Sequence, residues 1–302
     1  MQTPAPNPQG QLRPLDRLYE WPGVLLTLTA IFWAGNALAS RLAVGHISPF
    51  LLVFLRWGLV LAFLWPLYGA QVRAHWSEVR PMLGKIAVLS LLGFTGFNAL
   101  FYYAGHHTTA LNLGILQASI PVVVLLGAFL MHGVRPTLLQ IAGVLITSMG
   151  VVVVATGGAP LSILESGLNR GDLAMLVACV LNAMYIVALG DRPAMSGPAF
   201  LTLLALMAAL TSVPLVLVEA ATGRWLVMLY VAIFPSCLAQ LFFLRGVDLI
   251  GPGRAGVFVN LVPVFAAILA VMLLNEPFGL YHGVALVLVI GGISLAQRQK
   301  RA

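Results

Sequence analysis

Long apolar runs separated by short polar connectors form the main pattern of this chain. The hydrocarbon core of a bilayer is ~30 Å thick and is crossed by about 20 apolar helical residues, so each run of this length predicts a transmembrane helix. The predicted fold class is therefore all-α integral membrane, with ten transmembrane helices. The runs lie at residues 22–44, 49–69, 82–104, 108–131, 137–156, 171–190, 198–218, 224–244, 254–274 and 278–296.

The remaining polar segments are short connectors and two tails. Connectors such as 45–49 and 275–277 are rich in Gly, Pro or charge, and helices joined so tightly run antiparallel. Residues 1–21 carry four prolines before position 15 and predict a disordered cytoplasmic tail, and residues 297–302 predict a second tail. We expect the first run to stay as a membrane anchor, because no clear signal-peptide cleavage site follows it.

The pattern occurs twice along the chain. Aromatic segments recur at a separation of 141 residues, and prolines and glycines recur at 142. The pairs are 101–105 and 242–246, Pro121 and Pro263, and Gly150 and Gly292. Residues 22–156 and 171–296 are therefore predicted to be two five-helix repeats. Because five is odd, the second repeat enters the membrane from the opposite side, which is the inverted-topology build of many secondary transporters.

Composition and charge narrow the class further. The chain is 60% hydrophobic and only 8% charged, whereas soluble domains carry roughly 25% charged residues. The net charge of +7 comes from basic residues spread between apolar runs, so it indicates membrane topology and not nucleic-acid binding. Cys179 and Cys237 lie inside apolar runs and are interpreted as small buried residues, not as a disulfide or metal site.

Orientation follows from the distribution of Lys and Arg. With a cytoplasmic N-terminus, twelve of the 16 Lys and Arg residues fall on the inner side and three on the outer side, namely Arg41, Arg170 and Arg224. Arg56 lies within a span and completes the set. This bias predicts that both termini are cytoplasmic. The expected location is the inner (plasma) membrane of a bacterium.

Polar and aromatic side chains within the spans are the candidates for a substrate site. Such side chains are costly in lipid and usually face other helices or a cavity. The alternative is that they only join helices by hydrogen bonds and packing. The predicted substrate-binding set is Trp33, Asn36, Asn98, Phe101, Tyr102, Gln117, Asn182, Tyr185, Gln240, Phe243, Asn260 and Arg56.

This set matches a small amphipathic substrate. Amides and phenols bind ammonium or carboxylate groups without carrying charge, and aromatic faces pack against rings. An aromatic or large hydrophobic amino acid is the predicted partner, and a monomer is expected to suffice to enclose it. Arg56 lies about 12 Å along its helix. It would either bind a carboxylate or bond backbone carbonyls at helix ends.

Absent motifs bear on coupling and catalysis. No Asp or Glu falls at mid-span, whereas proton-driven pumps usually carry a titratable group there, so uncoupled transport is predicted. A proton-coupled drug or metabolite exporter and a channel remain alternatives. An intramembrane enzyme is disfavoured because the His-Glu-x-x-His and Gly-x-Ser-x-Gly motifs are missing. No cofactor is predicted, and the exposed His106-His107 pair does not indicate a metal.

Hinges are predicted in the fourth and ninth helices. Pro121 and Pro263 each remove a backbone hydrogen bond, and each is preceded by a glycine seven residues earlier, at Gly114 and Gly256. Bending there would open and close a cavity alternately. The alternative is that these prolines only shape static helices.

The chain resembles the drug/metabolite transporter superfamily in its ten-helix EamA-type branch. The residues that carry the resemblance are 33–36, Pro121, 143–150, 260–263 and 275–277. Within that branch it looks most like the YddG-type exporters of aromatic amino acids. The resemblance implies export by alternating access. The branch often has a Gly-Glu pair after the fourth and ninth helices; Glu276 fits the second position, but Val134 occupies the first.

Overall fold

The computed structural model describes residues 20–133, 135–159, 161, 169–189, 195–217, 229–250, 255 and 258–296, which are helical apart from connectors and contain no strand. The helices are α1 Pro22–Ala43, α2 Pro49–Ala74, α3 Trp76–Gly105, α4 Ala110–Met131, α5 Leu138–Ala155, α6 Arg170–Ala188, α7 Gly197–Val216, α8 Leu229–Ile250, α9 Leu261–Leu274 and α10 Leu280–Ala296. By length and composition, α1–α8 can each cross a membrane, and α9 and α10 are shorter apolar helices. The predicted fold class is confirmed.

Some predicted boundaries are wrong. The eighth helix was expected at 224–244 but reaches at least Ile250, and its last turns carry an ion pair between Arg245 and Glu20. The continuous part of the ninth helix runs from Leu261, and residues 255, 258 and 259 before it are also helical; the predicted start at 254 lies outside the described residues. The two tails fall almost wholly on residues 1–19 and 297–302, which lie outside the described residues.

Local sequence signals explain where several helices begin. Ser48, Thr109 and Ser196 each accept a hydrogen bond from a backbone N–H at the start of α2, α4 and α7. Such caps satisfy donors that the helix itself leaves unpaired. Thr137 and Gln140 form a reciprocal capping box at the start of α5. Ordinary soluble-protein cap chemistry therefore sets these membrane helix ends.

The helices of the two repeats pack in corresponding ways, so a contact made by one helix is also made by the helix five positions away in the chain. Helix α1 packs against α8 and α9, and α6 packs in the same way against α3 and α4. The two largest contacts join equivalent helices, α2 with α7 and α5 with α10, and α3 also packs on α7. This pattern is that of an approximate two-fold axis relating the two halves.

The contact between α5 and α10 shows the direction of that axis. A Cβ added to Gly143 would strike Gly292 and Ala296, and one added to Gly150 would lie 2.9 Å from the carbonyl oxygen of Ala285. Positions advance along α5 while they retreat along α10, so the two helices are antiparallel. Since equivalent helices run in opposite directions, the axis lies in the membrane plane and the repeats are inverted.

Irregular helical turns also recur in both halves. Helix α3 contains a π-helical segment at Leu91–Gly96, and α8 contains one at Ala232–Leu238. Their first residues are separated by the 141 positions that relate the aromatic segments. Single π-helical turns within α-helices are frequent at functional sites. The two turns therefore mark the stretches of α3 and α8 where side chains of interest are expected.

Candidate functional site

A buried arginine lies at the centre of the first repeat. Arg56 of α2 donates from Nη1 to the Oδ1 atoms of Asn98, at 2.7 Å, and Asn36, at 3.3 Å, and to the Tyr102 hydroxyl. Tyr102 in turn donates to Asn36 Oδ1 at 2.9 Å. Helices α1, α2 and α3 are thus joined by one network, which we call the Arg56 cluster.

The Arg56 cluster is closed to solvent. Asn36, Arg56, Asn98 and Tyr102 are 6%, 4%, 2% and 1% exposed. The hydrogen bonds of Arg56 go to side-chain oxygens and not to backbone carbonyls at helix ends. All three acceptors are neutral, and Arg56 forms no ion pair with the described residues. The positive charge of this buried guanidinium is therefore not balanced by an anionic side chain of the described residues.

Local structure holds the cluster in place. Asn98 Nδ2 donates to the backbone carbonyl of Phe94, within the π-helical segment of α3. That bond turns the amide oxygen of Asn98 toward Arg56. Asn98 and Tyr102 are four residues apart and so share one face of α3.

Aromatic rings surround the cluster. The Trp57 ring lies 5.1 Å from Arg56 Cζ, and Tyr102 lies at 5.9 Å, both within the range of cation–π attraction. Phe94 packs at 4.6 Å from Trp57, and Tyr185 of α6 follows at 5.3 Å from Phe94. The centre of the bundle therefore offers one cation inside an aromatic wall.

A second aromatic group joins α1 to α8. Trp33 donates from Nε1 to the carbonyl of Pro235 at 3.2 Å and packs at 5.3 Å from Phe243. Tyr230 stacks on Phe234 at 5.2 Å, and its hydroxyl fills the space beside Gly35, where a Cβ would collide with it. Trp33 and Phe243 were predicted site residues, and the structure places them on this group.

The two repeats differ at equivalent positions. Asn182 of α6 corresponds to Asn36, but Ala239 and Phe243 of α8 correspond to Asn98 and Tyr102 by the 141-residue separation. Helix α7, the counterpart of α2, carries no charged residue. The polar groups of the cluster thus have no equivalents in α8, an arrangement suited to a molecule with a charged end and an apolar end.

The other predicted site residues are more scattered. Phe101 is fully buried against Tyr102, with ring centroids 5.6 Å apart, and Asn260 is buried at the start of α9. Gln117, Asn182 and Gln240 are half-buried. No hydrogen bond within the described segments links these three amides to the Arg56 cluster.

The predicted hinge residues lie where α4 meets α9. Gly114 packs so closely on Ala266 that a Cβ would collide, and the Cα of Pro263 lies nearby. Pro121 follows a 3₁₀ turn at Gln117–Ser119, so α4 is irregular at that point. Gly256 lies outside the described residues.

One end of the bundle is joined by polar contacts that the sequence does not reveal. Glu276 accepts hydrogen bonds from the backbone N–H groups of Ala110, at 2.9 Å, and Leu111, at 3.0 Å, and so caps α4. Arg41 donates to the carbonyl of Gly105 at 2.8 Å and lies 3.9 Å from Glu276. We call this end the Glu276 end; it links α1, α3, α4 and the α9–α10 connector.

Asp172 adds α6 to the Glu276 end. Its carboxylate accepts a hydrogen bond of 2.6 Å from the Thr108 hydroxyl and longer ones from the Asn112 amide. Gly171 beside it packs on the backbone of His107 and Thr108. The α3–α4 connector is thus held from two sides, by Glu276 and by Asp172.

The opposite end has an open groove. Arg245 pairs with Glu20, and Ser196 donates to Gln71 at 2.8 Å. The groove has a volume of about 610 Å³ and is mainly apolar. It is lined by Glu20, Trp21, Pro22, Gly23, Val24, Thr27, Leu28 and Phe258.

Sequence reasoning missed Trp57, Phe94 and Tyr230. Each lies within an apolar run, where an aromatic residue is by default a packing residue. For Tyr230, the only available signal was its hydroxyl, which needs a partner inside a membrane helix. The capping role of Glu276 was also missed, because the cap and the helix are far apart in sequence.

Comparison with known proteins gives the family. The model of the EamA-like transporter family matches residues 21–156 and again residues 169–297. The uncharacterized transporter YyaM of Bacillus subtilis (strain 168) is 27% identical, covering 90% of this chain and 92% of its own. An uncharacterized transporter of Archaeoglobus fulgidus is 28% identical, covering 90% and 96%.

A solved crystal structure shares the fold. It is 21% identical, covers 90% of this chain and 95% of its own, and superposes with a TM-score of 0.61. The inverted ten-helix architecture and the family model, which matches both halves, agree with each other. This chain therefore belongs to the EamA-like transporter family of the drug/metabolite transporter superfamily and is a multi-pass membrane transporter of a small molecule.

Proposed function

We propose that this transporter exports aromatic or large hydrophobic amino acids by alternating access, without ion coupling. The observation that carries the proposal is the closed Arg56 cluster, a buried cation with only neutral partners inside an aromatic wall. A buried charge without a counter-charge is costly, and an anionic substrate group would supply one. The substrate carboxylate is assigned to Arg56.

The aromatic part of the substrate is assigned to the contact between the two repeats. Trp33 and Phe243 pair at 5.3 Å where α1 meets α8, close in sequence to the cluster residue Asn36. Ring-to-ring packing contributes ~0.5–1.5 kcal/mol beyond area burial. A substrate lying between the two groups would bind both repeats at once. Such a contact is what lets a ligand bias their relative arrangement.

The positions of the acidic residues support uncoupled transport. Among the described segments, Glu20, Glu78 and Asp248 lie toward one end of the bundle, and Asp172 and Glu276 lie toward the other. None of these carboxylates contacts the Arg56 cluster. Protonation of a carboxylate therefore has no direct path to substrate binding.

The proposed orientation places both termini in the cytoplasm of a bacterium, with the protein in the inner membrane as a monomer. The Glu276 end then faces outward, and the groove beside Glu20 faces the cytoplasm. In this arrangement the outer end is closed by Glu276, Arg41 and Asp172. Opening of the outer end, with bending of α4 and α9 near Pro121 and Pro263, would release the substrate.

Proteoliposomes test the proposal directly. Counterflow of a labelled amino acid, measured for each of the twenty amino acids in turn, should be saturable and largest for Phe, Trp, Tyr and large aliphatic residues. An imposed pH gradient alone should produce no accumulation above equilibrium. Counterflow of none of the aromatic amino acids would refute the substrate class, and uphill accumulation driven by the pH gradient would refute the uncoupled mechanism.

A further inference from the structure

The Arg56 cluster contains a hydrogen-bond donor that the protein leaves unused. Arg56 Nε is buried and has no hydrogen-bond partner, although Nη1 contacts three oxygens. The indole Nε1 of Trp57, the next residue, is also buried without a partner. Unsatisfied buried donors of this kind are rare in folded proteins and destabilise them, and a charged donor does so more than a neutral one. An acceptor from a ligand would remove this effect at Arg56.

The acceptors of the same cluster are all in use. Asn36 Oδ1 accepts from both Arg56 and Tyr102, and Asn98 Oδ1 accepts from Arg56. The Tyr102 hydroxyl accepts from Arg56 while it donates to Asn36. A substrate ammonium would find these oxygens directed at the guanidinium and would be repelled by its charge. The cluster therefore favours an anion over a cation.

We propose that this site recognises the carboxylate and the ring of its substrate but not an amino group, so that aromatic carboxylates lacking the amine are also substrates. The inference rests on the proposed function, since it concerns the same site. The carboxylate takes the Nε donor of Arg56, and the ring packs on Trp33 and Phe243, as proposed above. The α-amino group of an amino acid then contributes little to affinity.

Three probe molecules separate the contributions of the two polar groups. Phenylalanine carries both groups, phenylpyruvate has the carboxylate without the amine, and phenethylamine has the amine without the carboxylate. Isothermal titration of the purified full chain in nanodiscs measures each affinity without depending on transport or on leakage through lipid. We expect phenylpyruvate to bind within about tenfold of phenylalanine, and phenethylamine to show no saturable binding.

Variants of Arg56 test the assignment within the protein. Arg56→Gln should lower the affinity for phenylpyruvate and for phenylalanine alike, by ~30-fold or more, because a buried charge-assisted contact is lost. Arg56→Lys should recover part of the affinity. The matched control is Arg73→Gln, an exposed arginine on the same helix, which should bind as the unaltered chain does. The three-probe comparison on the unaltered chain decides the question even if Arg56→Gln fails to fold.

The outcomes distinguish the two proposals. Binding of phenylalanine without phenylpyruvate, or binding of phenethylamine, would overturn this inference and leave amino-acid transport intact. Binding of phenylpyruvate without phenylalanine would support carboxylate recognition and overturn the amino-acid assignment. Binding of none of the three would overturn both.

Discussion

Tyr102 of α3 donates a hydrogen bond of 2.9 Å to Asn36 of α1, and both side chains also contact Arg56 of α2. One hydroxyl therefore connects three helices of the first repeat. The contact is buried, so water cannot replace it without entering the bundle. In the second repeat, Phe243 takes the place of Tyr102 and the connection is missing.

Removal of the Tyr102 hydroxyl should lower substrate affinity several-fold and destabilise the fold only slightly. Tyr102→Phe keeps the ring but leaves Arg56 Nη1 and Asn36 Oδ1 with one partner fewer, at a cost in stability of about 1 kcal/mol. We expect substrate affinity to fall several-fold, because Arg56 is no longer held in place. Titration and thermal unfolding measure the two effects. Tyr103→Phe, on the exposed neighbour, is the control; equal affinities for the two variants would contradict the prediction.

Glu276→Gln should favour opening of the Glu276 end. The amide has the same shape, but its NH2 group cannot accept a hydrogen bond, so one of the two bonds from Ala110 and Leu111 is lost. The charge that favours a helix N-terminus, an interaction of ~0.3–1 kcal/mol, is lost as well. A cysteine at Leu113, buried one turn into α4, should react up to about fivefold faster with a membrane-impermeant maleimide. Glu78→Gln, at the other end, should leave the rate unchanged. An unchanged rate in Glu276→Gln would remove this residue from the closure.

Adjacent glycines in α10 should respond in opposite ways to alanine. A Cβ on Gly292 would meet Thr147 and the backbone of Gly143, whereas a Cβ on Gly291 meets nothing within 4 Å. Gly292→Ala should destabilise the protein by ~1–3 kcal/mol through overpacking. Gly291→Ala should be neutral or slightly stabilising, since Ala is the better helix former. Thermal unfolding in detergent measures both; similar melting temperatures would show that α5 and α10 pack more loosely.

Gly35 and Tyr230 should behave as a coupled pair. Gly35→Ala places a methyl group where the Tyr230 hydroxyl lies, so it should destabilise the contact between α1 and α8. Tyr230→Phe removes that hydroxyl and should restore part of the loss when the two changes are combined. A double-mutant cycle on unfolding free energies measures the coupling, expected at ~0.5–3 kcal/mol. Strict additivity would mean that the two residues are not in contact.

Pro263→Ala tests hinging in α9. Restoring a backbone N–H should stiffen the start of α9, so counterflow should slow while the yield of folded protein stays the same. Pro66→Ala, at an exposed position inside α2, is the control and should leave the rate unaltered. Equal rates for Pro263→Ala and the original chain would favour the alternative of statically shaped helices.

The sequence predicted the helices well because lipid imposes a simple rule. Length and apolarity identify a span, and the recurrence of Pro121 as Pro263 and of Gly150 as Gly292 revealed the duplication. Spacing along one helix also placed Asn98 and Tyr102 on one face, where the structure has them. These signals are local or periodic, so they can be interpreted without knowing how the helices pack.

Contacts between helices were harder to predict. Arg56 had two possible partners, a ligand carboxylate or backbone carbonyls, and only the relative heights of α1, α2 and α3 bring it to Asn36 and Asn98. The partner of Glu276 lies at Ala110, more than a hundred residues away in sequence. Such pairings depend on rotation and depth of each helix, which hydropathy does not encode.

The antiparallel contact of α5 with α10 has a consequence for the origin of the molecule. Gly143 faces Gly292 while Gly150 faces Ala285, and the positions in each repeat correspond at the 142-residue separation. The surface through which α5 and α10 pack is thus self-complementary, as is the interface of a homodimer with two-fold symmetry. A half-length ancestor that inserted into the bilayer in both directions would pair with its own copy through the same surface, before gene fusion joined the two.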